Sequence, residues 1–180
     1  MEQNNSNIQF LLSEYTKLRE EQNKRIEFRD HMIYLTLGAI GAIFSFGLEK
    51  PQFNSAFLIL PFICIVLGWT YLANDEKISS IGKYFENYLI PKIDTLPPDH
   101  KLSLSDNWDS IIRKDKKRKG RKIFQLFIDL SIYCFSASLS IVAFLVLNKN
   151  IPFYLHFIIV IEVLLIIFLS VQFFRYSEIK

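Results

Sequence analysis

The chain has 180 residues, 51% of them hydrophobic, with 21 lysines and arginines against 18 acids and only two cysteines. Two thiols exclude a disulfide framework of the secreted type, and they cannot by themselves make a metal site. The length suits one domain. The averages hide an uneven distribution, because almost all charge falls in three blocks, 1–31, 74–122 and 175–180.

The first block is polar, with no short apolar core and no small-residue cleavage site, so no cleaved signal peptide is expected. Residues 1–7 read as disordered. From Ile8, the apolar residues Leu11, Leu12, Tyr15, Leu18 and Ile26 recur near the helical period. Glu20–Lys24 and Glu21–Arg25 are i,i+4 pairs with the acid first, the better orientation. Nothing breaks this segment before the first apolar run, Met32–Leu48, so one helix is predicted over 8–48, with an arm at 8–31 and a span at 32–48.

A bilayer core of about 30 Å takes roughly 20 apolar helical residues. Four runs meet that length or approach it, giving predicted spans at 32–48, 53–73, 123–147 and 152–174. None of the four has a charged face, which argues against the buried core helices of a soluble protein. The fold class expected is an all-α membrane protein, a four-helix transmembrane bundle whose first two helices extend into the cytoplasm. The first span carries Gly38, Gly41, Ala42 and Ser45 in small-xxx-small spacing, which lets helix backbones approach closely. This candidate helix-contact face could pack within one chain or between subunits.

After a tight turn at Glu49–Gln52, the second span carries Pro61, expected to kink it, and ends in Trp69 and Tyr71 at interface depth. Ile78, Ile81, Phe85, Tyr88 and Leu89 then form a second apolar stripe, on a helix predicted to end before Pro91. Its economical partner is the stripe on 8–26, giving an antiparallel pair; the alternative is a helix on the membrane surface. Residues 91–106 hold three prolines and read as loop, followed by a short helix capped by Ser105 or Asp106 and carrying Trp108, Ile111 and Ile112.

Eight of the next ten residues are basic: Arg113, Lys114, Lys116, Lys117, Arg118, Lys119, Arg121 and Lys122. Three contacts suit such a run: an anionic leaflet, an acidic protein, or nucleic-acid phosphates. Its position against a span favours the lipid bilayer, and nucleic acid is not an expected partner. Of 21 lysines and arginines, 19 fall in the three polar blocks, and Lys50 and Lys149 alone fall in the opposite turns. An even number of spans puts those blocks on one side, which the positive-inside rule makes the cytoplasm of a bacterial inner membrane.

Two intramembrane acids interrupt the last two spans, Asp129 and Glu162. An ionisable group inside a bilayer is costly, so it faces a bundle interior or water. Asp129, Tyr133, Ser136 and Ser140 share one face at i, i+4, i+7 and i+11. With Glu162 they are the candidate lining of a polar path; the plainer alternative is hydrogen bonding between helices, with Glu162 protonated. Cys64 and Cys134 read as small packing residues. The three histidines do not cluster, and the Arg25–His31 spacing carries no argument for a nuclease. No phosphate loop, zinc spacing or nucleophile elbow occurs, so no enzyme activity, cofactor or metal is expected.

Two stretches carry a resemblance. One is Glu14-Tyr15-Thr16-Lys17-Leu18-Arg19-Glu20-Glu21 with Lys24-Arg25-Ile26 ahead of the first span. The other is Gly68-Trp69 with Asn74-Asp75, then Ile81-Gly82-Lys83-Tyr84 and Leu89-Ile90-Pro91. Together they resemble small four-span bacterial membrane proteins of antiviral defence loci, such as the transmembrane accessory protein of type VI-B CRISPR systems. The resemblance covers roughly residues 10–110 and implies a class without assigning sites. Taken with the polar face of the third span, Glu162 and the small-residue face of the first span, it leads to the expectation of a non-enzymatic membrane effector or accessory, a homo-oligomer that alters permeability, with a cytosolic defence protein as a candidate partner. The alternative is a membrane-anchored scaffold that recruits that partner through 8–30 and 75–122. A secondary transporter is less compatible with only four spans.

Overall fold

The computed structural model describes residues 2–49, 51–94 and 117–177, with side chains from Ile8 onward apart from 51, 52 and 94. The loop after Asp94, its proposed capped helix and the basic residues Arg113, Lys114 and Lys116 lie outside the described residues. Every described element is helical, and four helices are long and apolar enough to cross a membrane: Ile8–Glu49, Phe53–Ile93, Arg118–Leu147 and Phe153–Tyr176. The protein is an all-α four-helix bundle of the multi-pass membrane class. Its outward surface agrees with that class: Phe135, Val146, Phe153, Phe157 and Leu164 are each more than 60% exposed. Such a surface suits hydrocarbon, and in water it would be an aggregation site.

Helix α1 (Glu2–Glu49) is unbroken and starts earlier than the sequence suggests, so residues 2–7 are helical. A 3₁₀ segment, Pro51–Leu58, leads into α2 (Ile59–Tyr84). Pro61 therefore stands in the first turn of α2, where proline is tolerated because its N–H would have no partner within α2; the carbonyl it would face, that of Phe57, lies ahead of the helix. The irregularity expected at this proline lies ahead of it, in the tighter 3₁₀ turns. After α2 comes a π-helical turn, Phe85–Leu89, and then α3 (Ile90–Asp94). Pro91 thus does not end the helix, contrary to expectation. Its ring would crowd the carbonyl four residues back in a regular α-helix. The wider π-turn, closed by the Ile90 N–H on the Phe85 carbonyl, opens the backbone just before it.

Helix α4 (Arg118–Leu130) begins within the basic run, five residues before the predicted span. A second π-turn, Ser131–Phe135, joins it to α5 (Ser136–Leu147), and α6 (Phe153–Tyr176) follows.

The chain divides into two compact units. The first comprises residues 1–28 and 74–119. In it the two sequence stripes meet: Phe85, Leu89 and Ile93 are buried against Leu11, Tyr15, Leu18, Ile81 and Ile90. The pairing is antiparallel. Arg25 Nη1 donates to Asn74 Oδ1 at 3.2 Å, Gln22 Nε2 to the Ile78 carbonyl at 3.4 Å, and the Tyr84 hydroxyl to Glu14 Oε1 at 2.7 Å. The Arg19 guanidinium lies 4.6 Å from the Phe85 ring and 5.3 Å from the Tyr15 ring, and the two rings are 5.1 Å apart. The predicted Glu21–Arg25 pair forms at 2.5 Å. Tyr88, assigned to the stripe, instead points outward and stacks on Tyr84 at 5.8 Å. The π-turn holds more residues per turn than an α-turn, so the inward positions move from Phe85 to Leu89 and Ile93, and Tyr88 is passed over.

The second unit, residues 29–73 and 120–180, is the four-span bundle. Its core includes Phe57, Leu60, Cys64, Tyr71, Tyr133, Ala137, Ile141, Leu169 and Phe173. Two glycines bring its helices close. A Cβ on Gly68 would stand 2.9 Å from Leu169 and 3.1 Å from Tyr133, and one on Gly47 would stand 2.6 Å from the Phe57 ring.

Candidate functional site: a buried acid in the bundle core

The core of the second unit holds nearly every intramembrane polar residue singled out by the sequence. Asp129 is buried, and Tyr133, Ser140 and Glu162 are fully enclosed. They project into the interior of one chain's bundle.

Ser136 departs from this group. In a regular α-helix Asp129, Tyr133, Ser136 and Ser140 share a face, but the π-turn at Ser131–Phe135 inserts one residue into the phase. The inward positions become Leu126, Asp129, Tyr133, Cys134, Ala137, Ser140, Ile141 and Phe144. Ser136 turns aside, half-buried, and its hydroxyl donates to the Ser131 carbonyl five residues back at 3.1 Å. The same insertion turns two consecutive residues inward, Tyr133 and Cys134.

Tyr133 packs in an aromatic trio, with ring centroids 5.4 Å from Tyr71 and 5.8 Å from Phe173. Tyr71, expected at the interface beside Trp69, is therefore a core residue, and its hydroxyl accepts from Gln125 Nε2 at 3.2 Å. Trp69 alone keeps the outward place, stacked 6.0 Å from Phe168. The Tyr133 hydroxyl has no hydrogen-bond partner among the described residues. Thr36 is one polar group that bears on it, but its hydroxyl donates to the Met32 carbonyl at 2.7 Å and does not reach hydrogen-bond geometry with Tyr133. Asp129, one turn before Tyr133, bears on the phenol electrostatically. Ser140 crosses to the second span, donating to the Phe57 carbonyl at 2.5 Å.

Glu162 lies on the inward face of α6 with Ile159, Ile166, Leu169 and Phe173. It is 0% exposed, and neither carboxylate oxygen has a hydrogen-bond partner among the described residues. Ionised side chains are paired or hydrogen-bonded when buried, because an isolated charge in an apolar interior costs several kcal/mol or about that order even after relaxation. Glu162 has neither compensation.

The small-residue face of the first span has a definite position. Gly38, Gly41, Ala42 and Ser45 are exposed, and a Cβ at Gly38 or Gly41 would meet nothing within 4 Å. The opposite face packs inward through Met32, Thr36, Ile40, Phe44 and Gly47, with Phe44 5.3 Å from Phe57. Of the basic run, Lys117, Arg118, Lys119, Arg121 and Lys122 are described, all half-buried or exposed around the start of α4. Among the described residues no group of three or more His, Cys, Asp or Glu side chains could hold a metal ion. Cys64 and Cys134 are buried free thiols.

The class defined by fold and core is thus a multi-pass, all-α membrane protein with an acid enclosed among its spans. No family model, curated protein or solved structure matches the chain.

Proposed function

We propose that the protein is a non-enzymatic effector or accessory of bacterial antiviral defence, set in the inner membrane with both termini in the cytoplasm. In this reading it works as a homo-oligomer that alters membrane permeability. The observation that carries the reading is Glu162. A carboxyl enclosed in mid-span without a partner contributes nothing to a bundle that an apolar residue would not supply better, so its place is explained by what it does when the bundle opens. The polar residues lie inside one chain's bundle, which favours a path opened through the bundle over one lined around a shared axis. The outward small residues of the first span supply a face for a second copy, and the resemblance to defence-locus membrane proteins supplies the setting.

The test is ion leak from vesicles containing purified protein, together with protection of cells from phage. Glu162→Gln and Asp129→Asn are expected to change the leak and weaken protection. Unaltered leak and protection in both variants would defeat the reading.

One observation favours a second reading, a scaffold that recruits a soluble partner through 8–30 and 75–122. Tyr84 and Tyr88 stack on the exposed surface of the first unit, with Tyr88 62% exposed. If recruitment is the function, Tyr88→Ala abolishes protection while the intramembrane variants keep it.

A further inference from the structure

We propose that Glu162 is a proton-binding site: in the closed bundle its carboxyl is held as the neutral acid, and release of that proton is linked to opening of the core to water.

The argument is geometric. Glu162 stands nine residues into α6, about 13 Å from its Phe153 end by helical rise. It is 0% exposed, and among the described residues no donor reaches either oxygen. A carboxylate needs donors or a counter-charge, and a neutral acid needs neither to the same degree. Among the described residues, the elements packed around α6 offer no counter-charge at that depth. On the third span, Cys134 faces Ser170, eight residues from Glu162, and Tyr133 stacks on Phe173, eleven residues away. Those separations are about 12 and 16 Å along the axis. Asp129 lies a further turn beyond Tyr133. On the second span, Tyr71 packs against Phe173 and Gly68 against Leu169, a register that puts Cys64 near Ile166, about one turn from Glu162; a thiol there supplies no positive charge. On α6 itself, His156 is exposed and six residues away.

The antiparallel register set by these contacts brings positions near 142 of the third span level with Glu162. The nearby hydroxyl there, Ser140, is already committed to the Phe57 carbonyl. None of these groups solvates an ionised Glu162, so ionisation and the closed bundle exclude one another. The proton is therefore a ligand of the closed state, and by linkage whatever opens the core to water lowers its affinity.

The inference concerns the same carboxyl as the permeability reading but does not need it, because occupancy is read on the protein and leak is read on vesicles. The experiment is infrared spectroscopy of the full chain in lipid nanodiscs, at a pH where exposed carboxyls are fully ionised. A carboxylic-acid carbonyl band is expected, shifted by ¹³C-glutamate labelling and lost in Glu162→Gln; Asp129→Asn retains it. Labelling identifies the band as a glutamate in the unmutated protein, so the result stands even if the variant folds poorly. Absence of a glutamate acid band, or its survival in folded Glu162→Gln, overturns the proposal. Protonation without any effect of Glu162→Gln on leak would defeat the permeability reading alone.

Discussion

The Ser140 hydroxyl donates to the backbone carbonyl of Phe57, 83 residues away in sequence and on a neighbouring span. In an α-helical turn that carbonyl would receive the N–H of residue 61, but residue 61 is proline and has none. Ser140 supplies the donor that Pro61 lacks. Ser140→Ala is expected to destabilise the bundle by about 1 kcal/mol, the range of polar contacts between membrane helices. Pro61→Ala in the Ser140→Ala background restores part of the loss by returning the backbone donor. Thermal unfolding in detergent of both single variants and the double variant measures the coupling, and purely additive effects would refute it.

Gly68 and Gly38 make opposite predictions from the same residue type. A methyl at Gly68 would collide with Leu169 and Tyr133, so Gly68→Ala should cost about 1–3 kcal/mol of stability as overpacking. Gly38→Leu and Gly41→Leu meet open space and should leave the unfolding temperature of one chain unchanged. If the face is a subunit contact, the same two changes lower the oligomer mass in native mass spectrometry.

The core of the first unit is small enough to depend on one ring. Phe85 touches both Tyr15 and Arg19 and is 2% exposed. Phe85→Ala removes roughly 3–5 kcal/mol, typical of a buried aromatic. Hydrogen exchange should then show lost protection in 8–28 and 75–94, with the spans still protected. Retained protection in those segments would mean that the hairpin does not rest on this contact.

Tyr84 lies outside the spans, and its hydrogen bond to Glu14 holds the phenol above the usual tyrosine range. A group with a raised folded-state value adds stability that is complete below the unfolded value. That stability is lost as pH climbs through the folded value. As far as the phenol is concerned, the Tyr84–Glu14 contact therefore persists through neutral pH and is lost in alkali. Ultraviolet titration of the wild type against Tyr84→Phe isolates this phenol, and Glu14→Gln should lower its titration point.

The four spans, the long first helix and the pairing of the two stripes were legible because each rests on composition or period, which a sequence displays directly. The roles of Pro61, Pro91, Ser136 and Tyr88 were not. Three of these positions, Pro91, Ser136 and Tyr88, depend on a π-turn, which has no period of its own and is visible only as a phase slip between two regular stretches. Tyr71 was misplaced at the interface for another reason. Its neighbour Trp69 fits the aromatic belt, but a helix separates residues two apart by about 200° of rotation, so the pair cannot share an environment. Glu162 was visible as an intramembrane acid. That it lacks any partner required the positions of the third and second spans.

The two π-turns also bear on how this gene can change length. Deleting a residue elsewhere in a helix rotates everything beyond it by about 100° and sends an inward face into the lipid. Each π-turn already carries one residue beyond the α-helical count. A single deletion within Ser131–Phe135 would relax the backbone to an ordinary α-helix, whereas one within Phe85–Leu89 would close the wider turn that accommodates Pro91. Ser131–Phe135 is therefore the place, among the described helices, where a one-codon loss could pass through folding, because Ala137, Ser140 and Phe144 would keep their inward face.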